Sequence, residues 1–215
     1  MTGAVPRSPS SSDDGRVMLD LLSAESVSAG KRADAVRNRA RLLEAAAELV
    51  AERGAANLTM DAVATAACVG KGTVFRRFGD REGLLLALLN HSEEQFQEAM
   101  LTGPPPLGPG AEAGQRLHAY GPARLHHENA SIDLYLAAEP GPLRRYLVPA
   151  YGVHLTHIRM LLRQVGVDGD IELLAHMLLR SLDTASLHHL VCQRGLPVER
   201  LEAGWHDLVT RLTGH

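Results

Sequence analysis

The sequence predicts an all-α protein in two parts, a short N-terminal three-helix module and a longer helical body. Three observations carry this. Apolar residues recur at spacings of three and four along most of the 215 residues, with no convincing strand and no internal repeat. Clusters of glycine and proline cut those runs, above all at 102–110, which cannot be helical. Charge is also divided unevenly: residues 31–90 carry a net of +3, residues 1–30 a net of −2 and residues 91–215 a net of −4.

Residues 1–32 read as a disordered N-terminal arm, rich in Pro, Ser, Gly and Asp and closed by Lys31 and Arg32. A strong helix follows over about 33–53. Val36, Ala40, Leu43, Ala47 and Val50 form its predicted stripe, and Gly54 is its stop. Asn57 or Thr59 is placed to cap a helix over about 60–67, with Asp61 in its first turn. A break at 68–70 precedes a short helix over 71–78. Asp80 then caps a helix running to about residue 100. Beyond the 102–110 loop, helical patterns fall at about 111–120, 122–129, 131–138, 142–165, 169–194 and 197–213. Gly121–Pro122 should separate two of them, and Pro149 should kink or split the fourth.

Composition narrows the function. No apolar run approaches the roughly 20 residues of a membrane span, and the N-terminus lacks the apolar core of a secretory signal. Cys68 and Cys192, the two cysteines, lack metal or redox spacing. A cytoplasmic protein is expected. The chain also lacks a phosphate loop, a dinucleotide glycine fingerprint and a nucleophile elbow, so no enzyme, no catalytic residue and no cofactor is predicted.

The stretch 59–84 is the most specific. Two short helices around a tight turn need small residues where they cross, and Ala64 and Ala67 supply them. Val63, Val69, Val74 and Phe78 would hold the pair on a supporting helix. The outer face of the second helix then carries Lys71, Thr73, Phe75, Arg76 and Arg77. Lysine and arginine suit phosphate or guanine, threonine suits phosphate or a thymine methyl, and Gly72 lets backbone approach a duplex closely. That is the layout of a helix-turn-helix placing its second helix in the major groove.

These residues closely resemble the TetR (tetracycline-repressor) family of bacterial transcription regulators. Arg39-Ala-Arg-Leu-Leu-Glu-Ala-Ala46 with Glu52-Arg-Gly54 is similar to the family's first helix. Thr59-Met-Asp-Ala-Val-Ala64, Val69-Gly-Lys-Gly-Thr-Val-Phe-Arg-Arg-Phe78 and Asp80-Arg-Glu-Gly-Leu84 are similar to the next three. The resemblance covers about residues 35–90. It implies DNA contacts from Thr59, Lys71, Thr73, Phe75, Arg76 and Arg81, with Gly72 the close-approach position. Three departures stand out. Cys68 replaces the usual turn glycine, at a cost of roughly 1 kcal/mol if φ is positive. Phe75 replaces a common tyrosine, and Gly70 replaces a frequent serine or threonine cap.

For the body, the resemblance implies a homodimer with an effector cavity. The expected interface is Leu174, Leu178 and Leu182 from one helix and Leu201, Trp205, Leu208 and Leu212 from the last. Candidate cavity residues mix apolar bodies with polar tips: His91, Tyr120, His126, Tyr135, Tyr151, His154, Met160 and Met177. Among eleven histidines, His154 and His157 share a helical face, yet no carboxylate or cysteine with matching spacing joins them, so no metal site is assigned.

The combined expectation is a helix-turn-helix DNA-binding domain at 33–80 and a helical ligand-binding and dimerisation domain at 81–215. It would act as a repressor on double-stranded palindromic operator DNA, released by an unknown small-molecule effector, with no membrane partner. The alternative is a helical ligand-binding or metal-sensing protein with a vestigial DNA-binding module.

Overall fold

The computed structural model describes residues 34–138 and 149–214, and every described element is helical. The N-terminal arm, with Lys31 and Arg32, and the segment 142–148 of the fourth predicted body helix lie outside the described residues. Helix α1 covers 34–53 and stops at Gly54, whose φ is +79° and whose N–H bonds Val50 O at 2.8 Å. A 3-10 turn, Ala55–Asn57, leads into α2, Met60–Ala66, and α3, Lys71–Phe78. Then come α4, Arg81–Thr102; α5, Ala113–Ala130; α6, Ile132–Ala138; and α7, Pro149–Val165. Helix α8 is Ile171–Ser181, α9 is Thr184–Leu187 running into a π turn at His188–Gln193, and α10 is Val198–Thr213.

Two apolar clusters organise these helices. One joins α1, α2 and α3 to the first half of α4 (Leu84, Leu85, Leu88) and to Leu134 and Ala138 of α6. The other joins the second half of α4 (Phe96, Met100) to α5, α7, α8 and α10 around Leu117, Tyr120, Ile158, Leu178 and Trp205. Both α4 and α6 therefore touch the first cluster while reaching into the body.

Several predicted details differ. The buried face of α1 is Leu42, Leu43, Ala45, Ala46 and Leu49; of the predicted stripe Leu43 is buried and Val50 packs against the core, while Val36 is exposed and Ala47 faces solvent. Leucines carry more apolar area than the alanines of the predicted stripe, so they take the core. Helix α5 runs unbroken through Gly121–Pro122. The reason is tertiary: a Cβ at Gly121 would lie 2.2 Å from atoms of the Trp205 indole, so α10 packs on bare backbone there and holds the helix together. The predicted 169–194 helix is interrupted. Asp183 accepts a hydrogen bond from Ser186 N at 2.7 Å and starts a new helix, an N-cap that the apolar periodicity conceals. Helix α7 is described from Pro149 on, so the kink or split predicted there falls at the edge of the described residues.

Candidate nucleic-acid interface and effector cavity

The α2–turn–α3 unit is built from local signals. Thr59 accepts a hydrogen bond from Ala62 N at 3.2 Å, and Asp80 accepts one from Gly83 N at 2.8 Å, so both are N-caps. Cys68 adopts φ +53°, the left-handed conformation its position demands. Cys68 N–H bonds Thr65 O at 3.1 Å and Val69 N–H bonds Ala64 O at 2.9 Å, the paired bonds of a Schellman C-terminus. Gly70 starts α3 with no side-chain cap.

Helix α3 buries Val74 completely and Phe78 in part. Its outer side exposes Lys71, Gly72, Phe75 and Arg76, with Thr73 half-buried beside them. Nothing stands within 4 Å of a Cβ built on Gly72. The Lys71 ammonium is 2.7 Å from Asp61 on α2 and 5.6 Å from the centre of the Phe75 ring. Both charged groups are exposed, so this ion pair contributes only about 0–1 kcal/mol, and another anion can replace it.

Three other cations of the module are anchored. Arg77 donates to Ala35 O on α1 at 3.0 Å, and Arg41 donates to Ala67 O at 3.2 Å at the end of α2. Arg81 donates to Leu58 O at 2.9 Å, Ala55 O at 2.8 Å and Ala56 O at 3.0 Å. It fastens the 3-10 turn to the start of α4, a structural role that the sequence did not announce.

The body holds a cavity of about 160 Å³ between α4, α5, α6, α7 and the α8–α9 break. Of the predicted wall residues, Tyr135, Tyr151 and His154 line it. Tyr120 is fully buried behind the wall and meets His154 Nδ1 at 2.8 Å through its hydroxyl. The other candidates are elsewhere. His126 is exposed and 2.7 Å from Glu202, Met160 packs into the body core, and Met177 faces solvent at 60% exposure. His91 lines a separate cavity of about 340 Å³ between α1, α4 and α6. Each sits on a helical face that turns away from the α4–α7 junction.

Sequence reasoning missed the residues that dominate the cavity wall. Arg124 donates to Glu93 at 2.8 Å and pairs with Glu128, its guanidinium 5.2 Å from the centre of the Phe96 ring. Glu93 also pairs with His154 Nε2, and Thr184 donates its hydroxyl to Glu128. Burial opposes charge on Glu93, but the His154 hydrogen bond and the Arg124 charge outweigh it and hold the carboxyl well below the usual range. Burial alone would push the Arg124 guanidinium down; Glu128 and Glu93 instead hold it above its ordinary value. Burial, then Arg124, push His127 down. A trace was present in the sequence: Tyr120, Arg124 and Glu128 fall at four-residue intervals on one side of α5, with Leu117 and Leu125 beside them. Among the described residues no group of three or more His, Cys, Asp or Glu is placed to hold a metal, and His157, three residues from His154, is buried with its Nε2 unpartnered.

The predicted interface residues divide as well. Leu178, Leu182 and Trp205 are buried in the protomer's own core, where Trp205 Nε1 donates to Leu117 O at 3.0 Å. Leu174, Leu201 and Leu212 pack partly against that core. Leu208 is exposed, as are Leu173 and Met177 one turn apart on α8. The outward apolar face is therefore the flank of the predicted stripes. No described helix is long and apolar enough to cross a membrane.

Fold and surface together define an all-helical protein with an N-terminal helix-turn-helix. Residues 42–88 match the model of the bacterial regulatory proteins, tetR family, so the N-terminal module is that of the TetR family. No curated protein sequence matches the chain. Among solved structures, one from Rhodococcus sp. assigned to the TetR-family transcriptional regulators is similar, with a TM-score of 0.62, 20% identity, and coverage of 82% of this chain and 98% of that one. A protein from Saccharomonospora viridis described as a transcriptional regulator, in complex with choline, has a TM-score of 0.59 and 23% identity, covering 81% and 96%. The transcriptional regulator FadR from Bacillus subtilis, in complex with stearoyl-CoA, has a TM-score of 0.57 and 19% identity, covering 79% and 96%. The chain has the fold of TetR-family transcriptional regulators.

Proposed function

We propose that the protein is a homodimeric repressor that reads a palindromic operator with α3 and leaves it when a small effector fills the body cavity. The carrying observation is the outer side of α3: Lys71, Gly72 and Arg76 are exposed, Thr73 lies beside them, and Val74 anchors the helix beneath. So short a helix makes few base contacts, and pairing two half-sites supplies the specificity one lacks. Residues 33–80 act as the DNA-reading domain and 81–215 as the sensing and dimerising one. Leu173, Met177 and Leu208 are the apolar side chains offered to a second subunit.

Helix α4, which touches both clusters, and helix α6, which touches the first and lines the cavity, supply the coupling. On α4, Leu84, Leu85 and Leu88 sit in the module core while Leu86, Leu89 and Glu93 line the cavity. On α6, Leu134 and Ala138 sit in that core while Tyr135 lines the cavity. An effector that favours one setting of these helices biases the separation of the two α3 helices. The neighbouring complexes with choline and with stearoyl-CoA support a ligand-holding body in this fold.

The test is duplex selection from random DNA, followed by a mobility-shift titration on the selected palindrome. Lys71→Ala and Thr73→Ala should each weaken binding about ten-fold or more while leaving the thermal melt unchanged. Unchanged affinity in both variants rejects α3 as the reading helix.

A further inference from the structure

The open side of α3 carries an aromatic ring among its cations. At roughly 100° per residue, that side presents Lys71, Phe75, Gly72 and Arg76 in this order around the helix axis. Phe75 is 40% exposed, and it is the one exposed residue among the described phenylalanines, tyrosines and tryptophan. The contacts of α3 with the module core fall instead to Val74, fully buried, and to Phe78, which packs against the first cluster. On one flank of the ring, the Lys71 ammonium lies 5.6 Å from its centre. On the other, Gly72 has no side chain, and nothing stands within 4 Å of a Cβ built there. The ring therefore stands between a cation and a strip of bare backbone, on the side that faces solvent.

Charge complementarity brings a duplex to this face, since Lys71 and Arg76 suit phosphate. An apolar ring gains nothing from phosphate. The base edges in the major groove are otherwise donors and acceptors, and the 5-methyl group of thymine is the apolar feature among them. Bare backbone at Gly72 lets the helix come close enough for the neighbouring ring to reach those edges.

We propose that Phe75 reads the methyl group of a thymine in each operator half-site, an assignment that rests on α3 being the reading helix. Burying one methyl group against the ring is worth about four-fold in affinity, so two half-sites give about fifteen-fold.

The experiment takes the operator selected from random duplexes and replaces each thymine in turn with deoxyuridine, which lacks only the methyl group. Mobility-shift titration with the full-length protein should find one symmetry-related pair of thymines whose replacement weakens wild-type binding about fifteen-fold. Changing one half-site alone should weaken it about four-fold. Phe75→Ala, compared with wild type at a lower salt where its affinity stays measurable, should bind the thymine and uracil duplexes alike. Phe75 is exposed, so the variant should melt as wild type does; Phe75→Gln takes its place if it does not. A uracil series without effect in wild type overturns the proposal, as does the same loss persisting in the variants. Phe75→Tyr adds a hydroxyl at the tip of the ring. Tighter binding of that variant to every duplex, with no response to uracil, puts the tip at a phosphate and also overturns the proposal. Lys71→Ala and Thr73→Ala on the same duplexes keep the two readings apart. If they weaken binding while the uracil series stays flat, α3 reads DNA and Phe75 does not read a methyl group. If they too have no effect, α3 is not the reading helix.

Discussion

The two halves of the molecule use cations in opposite ways. On α3, Lys71 and Arg76 stand in solvent, and Lys71 has only an exposed partner in Asp61. In the body, Arg124 is enclosed between Glu93 and Glu128. An exposed ion pair is weak and exchangeable, whereas a buried one is costly to break. On the proposed reading, the first arrangement keeps a charge ready for a polyanion that arrives later. The second fixes the charge in place and shapes the field of a cavity. On the proposed reading, cations thus serve recognition in one region and architecture in the other.

The sharpest break of this comparison is at Arg124. Arg124→Met leaves two carboxylates facing each other with no cation between them. Chemical denaturation at pH 7 should show a loss of about 3–5 kcal/mol. Adding Glu93→Gln and Glu128→Gln to the same chain should restore most of it, since the neutral set no longer strands a charge. A loss below 1 kcal/mol in the single variant would mean that the cluster is wet and the contrast with α3 is false.

Acid should act on the body through His157. Burial, then Arg116 and His154, push its pKa from 6.5 down to about 4. The unfolded chain therefore binds a proton more readily, so stability is complete above about 6.5 and declines as pH falls toward 4. Between pH 7 and pH 5 the loss from this group is about 2 kcal/mol. His127, pushed down by burial and Arg124, adds a loss of the same sign. Glu93, held low, loses its contribution progressively as pH falls through the ordinary carboxylate range and below it. Urea melts of wild type and His157→Gln at the two pH values separate the terms: the variant should keep only the shallower slope.

A smaller effect sits at the α2–α3 turn. Cys68→Gly removes a side chain from φ +53° and should stabilise the module by up to about 1 kcal/mol, read from the same melts. It leaves the cations of α3 untouched, so DNA affinity should not change.

What was legible in the sequence follows the range of the interaction. Caps and stops act within four residues, so Thr59, Asp80, Gly54 and the strained Cys68 could be read directly. The register of α1 could not, because which stripe is buried depends on helices it meets later. Gly121–Pro122 reads as a break until Trp205, far along the chain, is known to lie against it. The cavity was the least legible. Glu93, Arg124, His154 and Thr184 come from four helices, and only the Arg124–Glu128 pair has helical spacing. Tyr135, Tyr151 and His154 were found because residues with apolar bodies and polar tips favour such walls. Met160 and Met177 have that spacing without that location.

The finest test concerns the exposed partner itself. Asp61→Asn removes the carboxylate that holds Lys71 yet keeps a polar side chain in the first turn of α2. Losing a surface ion pair and a favourable helix-dipole charge should lower stability by only about 0.5 kcal/mol. Affinity for duplex should rise a few-fold, because the lysine no longer exchanges one anion for another and a like charge near the phosphates has gone. Lys71→Ala in that background should then cost more DNA affinity than it does in wild type. It should also reduce the slope of log affinity against log salt by about one, the signature of a single phosphate contact. If Asp61→Asn instead weakens binding, the aspartate is orienting Lys71 rather than competing for it, and the exposed half of the molecule is as preorganised as the buried half.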